Sequence, residues 1–145
     1  LVIEITESAV MSDPESAIET MTKLSCLGVR LSIDDFGIGF SSLQYLKKLP
    51  VDELKIDKSF VMDMIVDEND AVIVRSTILL AHNLGLDVLA EGVESREVYD
   101  LLKIIGCDKA QGYFMGKPMS VQELEDWMLY SKWVKQSSGE IKLIK

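Results

Sequence analysis

Apolar and polar positions follow two rhythms along the chain. Leu1–Thr6 is short, apolar and β-branched, which predicts a strand. Asp13-Pro14-Glu15 then supplies a capping side chain, a proline suited to the first helical position and an acid in the first turn. Ile18, Met21, Leu24 and Leu27 continue at near-helical spacing, and Gly28 is placed to end that helix. Val29–Asp34 predicts a second strand and Phe36–Ser42 a glycine-bearing loop. Leu43, Leu46 and Leu49 mark a short helix that Pro50 stops. Val51–Asp57 reads as a third strand. Asp70–Leu84 reads as a helix carried by Ala71, Val74, Ile78 and Ala81 and closed by Gly85. Leu86–Ala90 is a fourth strand. Ser95 caps a helix bearing Val98, Leu101, Leu102 and Ile105, ended by Gly106. Cys107–Ala110 is a fifth strand, which Tyr113–Met115 either continues or follows with a short extra one. Ser120 and Glu123 have the spacing of a capping box, opening a helix with Leu124, Trp127 and Met128. Ser137–Lys145 is polar and then alternating, and the pattern assigns it no element.

Strand–helix alternation at intervals of about 20–35 residues predicts βαβ units, an α/β fold and a parallel sheet. Near-continuous apolar strands predict burial on both sheet faces. No repeat, low-complexity segment or linker interrupts the pattern. The expectation is one domain over residues 1–134 and a tail over 135–145. The opening Leu1-Val2-Ile3-Glu4-Ile5 starts inside an apparent buried strand and without Met, as a piece of a longer protein would.

Composition narrows the function classes. The chain has 145 residues, 24 acidic and 15 basic, for a net charge of −9, and 48% are hydrophobic. That suits a globular domain and not a disordered one. Such an acidic chain is a poor general binder of DNA or RNA, which needs clustered Lys and Arg. No apolar run reaches the roughly 18 residues of a membrane span. The longest candidate, Ala71–Leu86, is broken by Arg75, His82 and Asn83. No signal or transit sequence is recognisable. Cys26 and Cys107 lie far from each other and from the lone His82, so neither a zinc cluster nor a disulfide framework is indicated. Two free thiols in a reducing cytoplasm fit better.

Charges stand where strands should be greasy. Glu4 lies between Ile3 and Ile5, Asp34 and Asp35 follow Ile33, Lys55 lies between Leu54 and Ile56, and Glu91 follows Leu89-Ala90. Each falls at or near the C-terminal end of a predicted parallel strand, the end where α/β sheets and barrels bind ligands. An unpaired buried charge costs several kcal/mol or shifts its pKa until it neutralises. Four carboxylates offer hard oxygen donors, which suit Mg²⁺ or Mn²⁺ rather than zinc. They could hold two ions about 3.5–4 Å apart, as phosphoryl-transfer sites do. Lys55 could balance charge or position a water, and bound cations would let an acidic protein hold an anionic phosphodiester. A buried Lys55–Asp34 ion pair would explain those two residues but not the excess of acids. Other signals are weaker. Ser8, Ser41 and Ser42 have no histidine partner for a triad. Asp35-Phe36-Gly37 lacks the rest of a kinase signature. His82 reads as a packed or surface residue.

Five motifs occur in order: Glu4-Ile5-Thr6-Glu7-Ser8, Asp34-Asp35-Phe36-Gly37-Ile38-Gly39-Phe40-Ser41-Ser42-Leu43, Leu54-Lys55-Ile56-Asp57, Glu91-Gly92-Val93-Glu94 and Gln111-Gly112-Tyr113. The series closely resembles the EAL-domain family of bacterial cyclic-di-GMP phosphodiesterases, over residues 1 to about 130. The resemblance implies a modified (β/α)8 barrel that hydrolyses cyclic di-GMP to linear pGpG with Mg²⁺ or Mn²⁺. It implies Glu4 and Asp34 as metal ligands, Asp35 as ligand to a second metal, Lys55 on the attacking water, and Glu91 completing the metal-and-water shell. Glu7 would brace the loop Phe36–Ser42, which in the family couples dimerisation to metal binding. Glu94, Gln111 and the Gly112–Pro118 stretch would contact the nucleotide or support the site.

Departures from the family pattern qualify that expectation. The naming Glu-Ala-Leu motif and the Asn of the following strand would both precede Leu1, and each supplies a metal ligand. A (β/α)8 barrel takes about 250 residues, so the expected fold is a partial TIM-like barrel lacking its N-terminal strands, inactive alone. Ile38 and Phe40 stand where the family often has Thr and Tyr, which removes hydroxyls from the loop. Open strand edges and bared apolar faces predict a homo-dimer or larger assembly. The leading expectation is the C-terminal part of a cytoplasmic phosphodiesterase, with a membrane anchor in the parent left open. The alternative is a non-catalytic EAL-type cyclic-di-GMP receptor or protein-interaction module.

Overall fold

Thr6 both ends the first strand and starts the first helix. The computed structural model describes residues 1–38, 43–131, 133 and the backbone of 142–143. In it, β1 (Val2–Thr6) runs directly into α1 (Glu7–Ser12), and the Thr6 hydroxyl accepts the Ala9 N–H at 3.3 Å. Asp13 caps α2 (Pro14–Cys26), with Pro14 in the first turn where its missing N–H costs nothing. The chain continues as β2 (Arg30–Phe36), α3 (Leu43–Leu46), β3 (Glu53–Ile56), α4 (Lys58–Asp63), α5 (Glu68–Asn83), β4 (Asp87–Ala90), α6 (Arg96–Ile104), β5 (Lys109–Ala110), α7 (Val121–Tyr130) and β6 (Lys142–Leu143).

The five predicted strands from Leu1–Thr6 to Cys107–Ala110 and the five predicted helices are present, with ends moved by a few residues, as element boundaries commonly are. Two short helices, α1 and α4, are additions. Each has six residues, too few for a 3.6-residue period to declare itself. Tyr113–Met115 is not a strand. The Met115 and Gly116 N–H groups both donate to the Gly112 carbonyl, at 3.1 and 3.3 Å, and close a tight turn. Residues 39–42 of the predicted loop, and the tail apart from the 142–143 backbone, lie outside the described residues.

The described strands form one parallel sheet in which each pairs with the next in sequence, β1-β2-β3-β4-β5-β6. A doubly wound sheet reverses its strand order at a switch point. This one never does, which is the winding of a (β/α)8 barrel. The chain is an α/β partial barrel of that type.

Register sorts the side chains onto two faces, because paired residues in neighbouring strands point the same way and successive residues alternate. Ile3, Ile5, Leu31, Ile33, Leu54, Ile56, Val88, Ala90 and Ala110 face the helices. There they pack on Val10, Met21, Val61, Val74, Ile78, Ala81, Val98 and Leu102. Each fully buried aliphatic side chain contributes about 1.5–3 kcal/mol. The other face carries Glu4, Ser32, Asp34, Glu53, Lys55, Asp87 and Lys109, continued past the strand ends by Glu91 and Gln111, with Val2 and Leu89 as its apolar members. The expected burial on both faces holds through β3 and β5 and for Ser32, Lys55, Leu89 and Lys109, but the second buried face is ionic rather than apolar. These strands alternate, and only the helix-covered face is a hydrocarbon core.

Candidate functional site

β3 lies between β2 and β4, so a long side chain on its polar face can reach acids from both neighbours. Lys55 does this. Its Nζ is 3.0 Å from Glu4 Oε2 of β1, 3.0 Å from Asp34 Oδ1 of β2 and 2.7 Å from Glu91 Oε1 just past β4. The Lys55 side chain is 4% exposed, against 53, 23 and 20% for the three acids. Burial works to lower the Lys55 pKa, but hydrogen bonds to Glu91, Asp34 and Glu4 outweigh it and hold the ammonium above its ordinary range.

A bulge brings a second aspartate beside the first. Ile33 pairs with Leu54 and Phe36 with Ile56, so Asp34 and Asp35 together oppose the single residue Lys55. Asp35 takes φ of +56°, a left-handed conformation a non-glycine residue adopts at a cost. Strict alternation would have sent Asp35 to the helix side; the extra residue breaks that rule at the strand end. The Asp35 N–H is satisfied by Asp34 Oδ1 at 3.1 Å.

Glu7, in the first turn of α1, is 4% exposed. Its Oε2 accepts the Gly37 N–H at 3.1 Å, tying α1 to the residue that follows β2. Glu7 Oε1 is buried without a hydrogen-bond partner among the described residues. At the end of β5, Gln111 donates its N–H to the Ala90 carbonyl at 2.8 Å, and its carbonyl accepts the Val93 N–H at 3.0 Å. Gly112 follows where the backbones nearly touch: a Cβ there would sit 2.1 Å from the Val93 carbonyl oxygen, so no side chain fits. Gln111, Gly112 and Pro118 line a cavity of about 430 Å³ together with Tyr113, Lys117 and Trp127. Glu94 is exposed on the loop before α6 and is not part of that lining.

A second ionic cluster escaped the sequence reading. At the N-terminal ends of the strands, Lys109 Nζ lies 2.5 Å from Glu53 Oε2 and 2.8 Å from Asp87 Oδ2, and Asp87 also pairs with Arg30 at 3.2 Å. The other Glu53 oxygen accepts the Ser32 hydroxyl at 3.1 Å. The period of two in Glu53-Leu54-Lys55-Ile56 was the available signal: it puts Glu53 on the face of Lys55. His82, at the end of α5, pairs with Asp108 at 2.8 Å, and the same Asp108 oxygen accepts the Val88 N–H at 2.9 Å. Cys26 and Cys107 are free. Burial pushes the Cys107 thiol up to about 12, so it stays protonated and unreactive at neutral pH.

The donor set around Lys55 fits a hard divalent cation. Three carboxylates face one ammonium, and each gives Lys55 only one of its two oxygens. An uncompensated excess of acid in a partly dry site favours a cation. Among the described residues, no three acid, His or Cys side chains converge at ligating distance; the carboxylates turn toward Lys55.

Comparison with known proteins places the chain in a family. The chain belongs to the EAL domain family, whose model matches residues 1–118. It is 44% identical over 124 residues to the bifunctional diguanylate cyclase/cyclic di-GMP phosphodiesterase MucR of Pseudomonas aeruginosa, covering 86% of this chain and 18% of MucR. It is 42% identical over 128 residues to the cyclic di-GMP phosphodiesterase NbdA of the same organism, covering 88% and 16%. The solved MucR phosphodiesterase in complex with c-di-GMP superposes with a TM-score of 0.83 at 44% identity, over 86% of this chain and 50% of that one. The chain thus spans under a fifth of the length of these curated relatives and half of that structure. No helix among the described residues is long and apolar enough to cross a membrane.

Proposed function

We propose that this chain is the C-terminal part of a divalent-metal-dependent phosphodiesterase that hydrolyses cyclic di-GMP to linear pGpG. The observation that carries the reading is the excess of carboxylates gathered on one buried ammonium: Glu4 from the middle of β1, Asp34 from the C-terminal half of β2 and Glu91 just past β4. The printed descriptions of MucR and NbdA as cyclic di-GMP phosphodiesterases support it. In this reading Glu4, Asp34, Asp35 and Glu91 hold Mg²⁺ or Mn²⁺. A bound ion supplies Lewis-acid activation of water and offsets phosphate charge. Lys55 donates to the attacking water and orients it. Glu91, which shares Lys55, sets that ammonium's direction. Gln111, Gly112 and Pro118 receive a nucleotide base in the cavity they line, with Glu94 at its approach. Glu7 braces the segment after β2 through Gly37.

Glu4 is the most exposed of the acids because β1 has a neighbour on one side only. The activity therefore belongs to the complete protein, in which further strands close the barrel and add ligands. The isolated 1–145 chain is inactive and self-associates through the open β1 edge. The test is pGpG formation by the complete protein with Mg²⁺ or Mn²⁺. Asp34→Ala and Lys55→Ala should each lower turnover by about three orders of magnitude, near 4 kcal/mol of barrier. Unchanged turnover in both would defeat these roles. Binding of cyclic di-GMP by a wild-type protein that forms no product would instead make the chain part of a receptor.

A further inference from the structure

α7 stands against the turn that walls the cavity. Its first turn is fixed by a reciprocal capping box, in which the Ser120 hydroxyl accepts the Glu123 N–H at 3.4 Å and the Glu123 carboxylate accepts the Ser120 N–H at 2.8 Å. One turn further on, the partly buried indole of Trp127 donates its Nε1–H to the Met115 carbonyl at 3.2 Å. The neighbouring Phe114 N–H donates to the Val93 carbonyl at 3.0 Å. The 112–116 turn is thus tethered to two elements, the loop after β4 and α7. Trp127 also lies close along the turn's backbone: a Cβ on Gly116 would be 3.5 Å from the indole nitrogen. Gln111, Tyr113, Lys117 and Pro118, which line the cavity, all sit on or beside this turn. Trp127 itself lies beyond residue 118, where the family match ends.

We propose that Trp127 is a positioning residue whose indole N–H holds the 112–118 segment in the shape that receives the planar base of the nucleotide, so that it sets substrate affinity rather than the rate of bond breaking. This rests on the phosphodiesterase reading above. A hydrogen bond that orders a binding wall acts on ground state and transition state alike, and its loss raises KM without lowering kcat.

Trp127→Phe keeps a ring and deletes the N–H; Trp127→Leu deletes the ring. In the complete protein, Trp127→Phe should raise KM for cyclic di-GMP about fivefold, what one ordinary hydrogen bond gives, with kcat within about twofold of wild type. Trp127→Leu should raise KM further. Hydrogen exchange at amides 114–116 should quicken in both. An unchanged KM in folded Trp127→Phe overturns the proposal whatever the exchange rates, and so does a fall in kcat at constant KM. If the wild-type protein binds cyclic di-GMP without turning it over, the phosphodiesterase reading fails. Calorimetric affinity then replaces KM: weaker binding with faster exchange sustains the role of Trp127, and unchanged binding overturns it. A wild-type protein that neither turns over nor binds cyclic di-GMP removes both.

Discussion

Two ionic clusters share the polar face of the sheet, one at each end of the strands, and they differ in their charge balance. At the N-terminal ends, Glu53 and Asp87 are matched by Lys109 and Arg30, two acids against two bases. Toward the C-terminal ends, Glu4, Asp34 and Glu91 share the single Lys55. Leu89, 1% exposed, stands between Asp87 and Glu91 on β4 and separates the clusters along that strand. The first cluster is closed: its charges cancel and nothing further is required. The second is left with an acid excess that a cation can satisfy. The same residue types on the same face thus balance to neutrality at one end and leave an acid excess at the other, and the difference is arithmetic.

Deleting the central cation of each cluster should separate them most sharply. In Lys109→Met, Glu53 is left with a side chain 7% exposed and no counter-ion, which should cost about 3 kcal/mol of stability. Lys55→Met should cost clearly less, because the acids it abandons are 20–53% exposed and keep water. Urea unfolding of the complete protein measures both. Equal losses would erase the distinction. Replacing Glu53 and Lys109 together by Leu and Met should recover most of the loss, because a buried pair and a well-packed apolar pair are often nearly equivalent.

The upper cluster was legible in the sequence and the lower one was not, for a physical reason. Glu4, Asp34, Lys55 and Glu91 each interrupt or follow an apolar run, so they stood out as anomalies at strand ends. Glu53 and Asp87 fall near the starts of the predicted strands Val51–Asp57 and Leu86–Ala90, away from the end where ligands bind. Lys109 falls in the predicted strand Cys107–Ala110, and no local pattern joins it to acids 56 and 22 residues earlier. The βα alternation was readable because α2, α5 and α6 carry capping residues and periodic apolar faces. α1 and α4 are set by single capping side chains, Thr6 and Asp57, and leave no periodic trace. The bulge at Asp34–Asp35 depends on the pairing of β2 with β3, a contact between residues about 20 apart that no local pattern encodes. The site's chemistry was thus written in residue type, and its geometry in register.

A second way to sharpen the contrast is to add the cation. Mg²⁺ or Mn²⁺ at a hundred times its dissociation constant should stabilise the complete protein by about 2.7 kcal/mol if it binds only the folded state. Thermal unfolding with and without chelator reads this directly. Asp34→Asn should remove most of the response, and Lys109→Met should leave it intact. A response that follows Lys109 instead would place the ion at the wrong end of the strands.

The smallest expected effect comes from acid. The hydrogen bond from Lys109 holds the Asp87 carboxyl below the usual carboxylate range; burial opposes the shift, and Arg30 adds to it. A carboxyl whose folded pKa is depressed contributes stability above its unfolded value, about 3.9, and loses it as pH falls through the folded value. Asp87→Asn should therefore cost a few tenths to about 1 kcal/mol at pH 7, since the Asp87 side chain is 45% exposed and water screens it. The gap between wild type and variant should close toward pH 3 and below, as the wild-type carboxyl takes up its proton. Lys109 shifts the opposite way. Burial works to lower its pKa, but Asp87 and Glu53 raise it overall, so its share of stability holds through neutral pH and is lost only in strong alkali. Acid therefore opens the lower cluster from the Asp87 side. In a Lys109→Met background the pH-dependent gap should shrink, because the partner that depresses Asp87 is gone. A gap that stays constant from pH 7 to pH 3 would mean that Asp87 contributes by shape alone, and that the lower cluster is not held by charge.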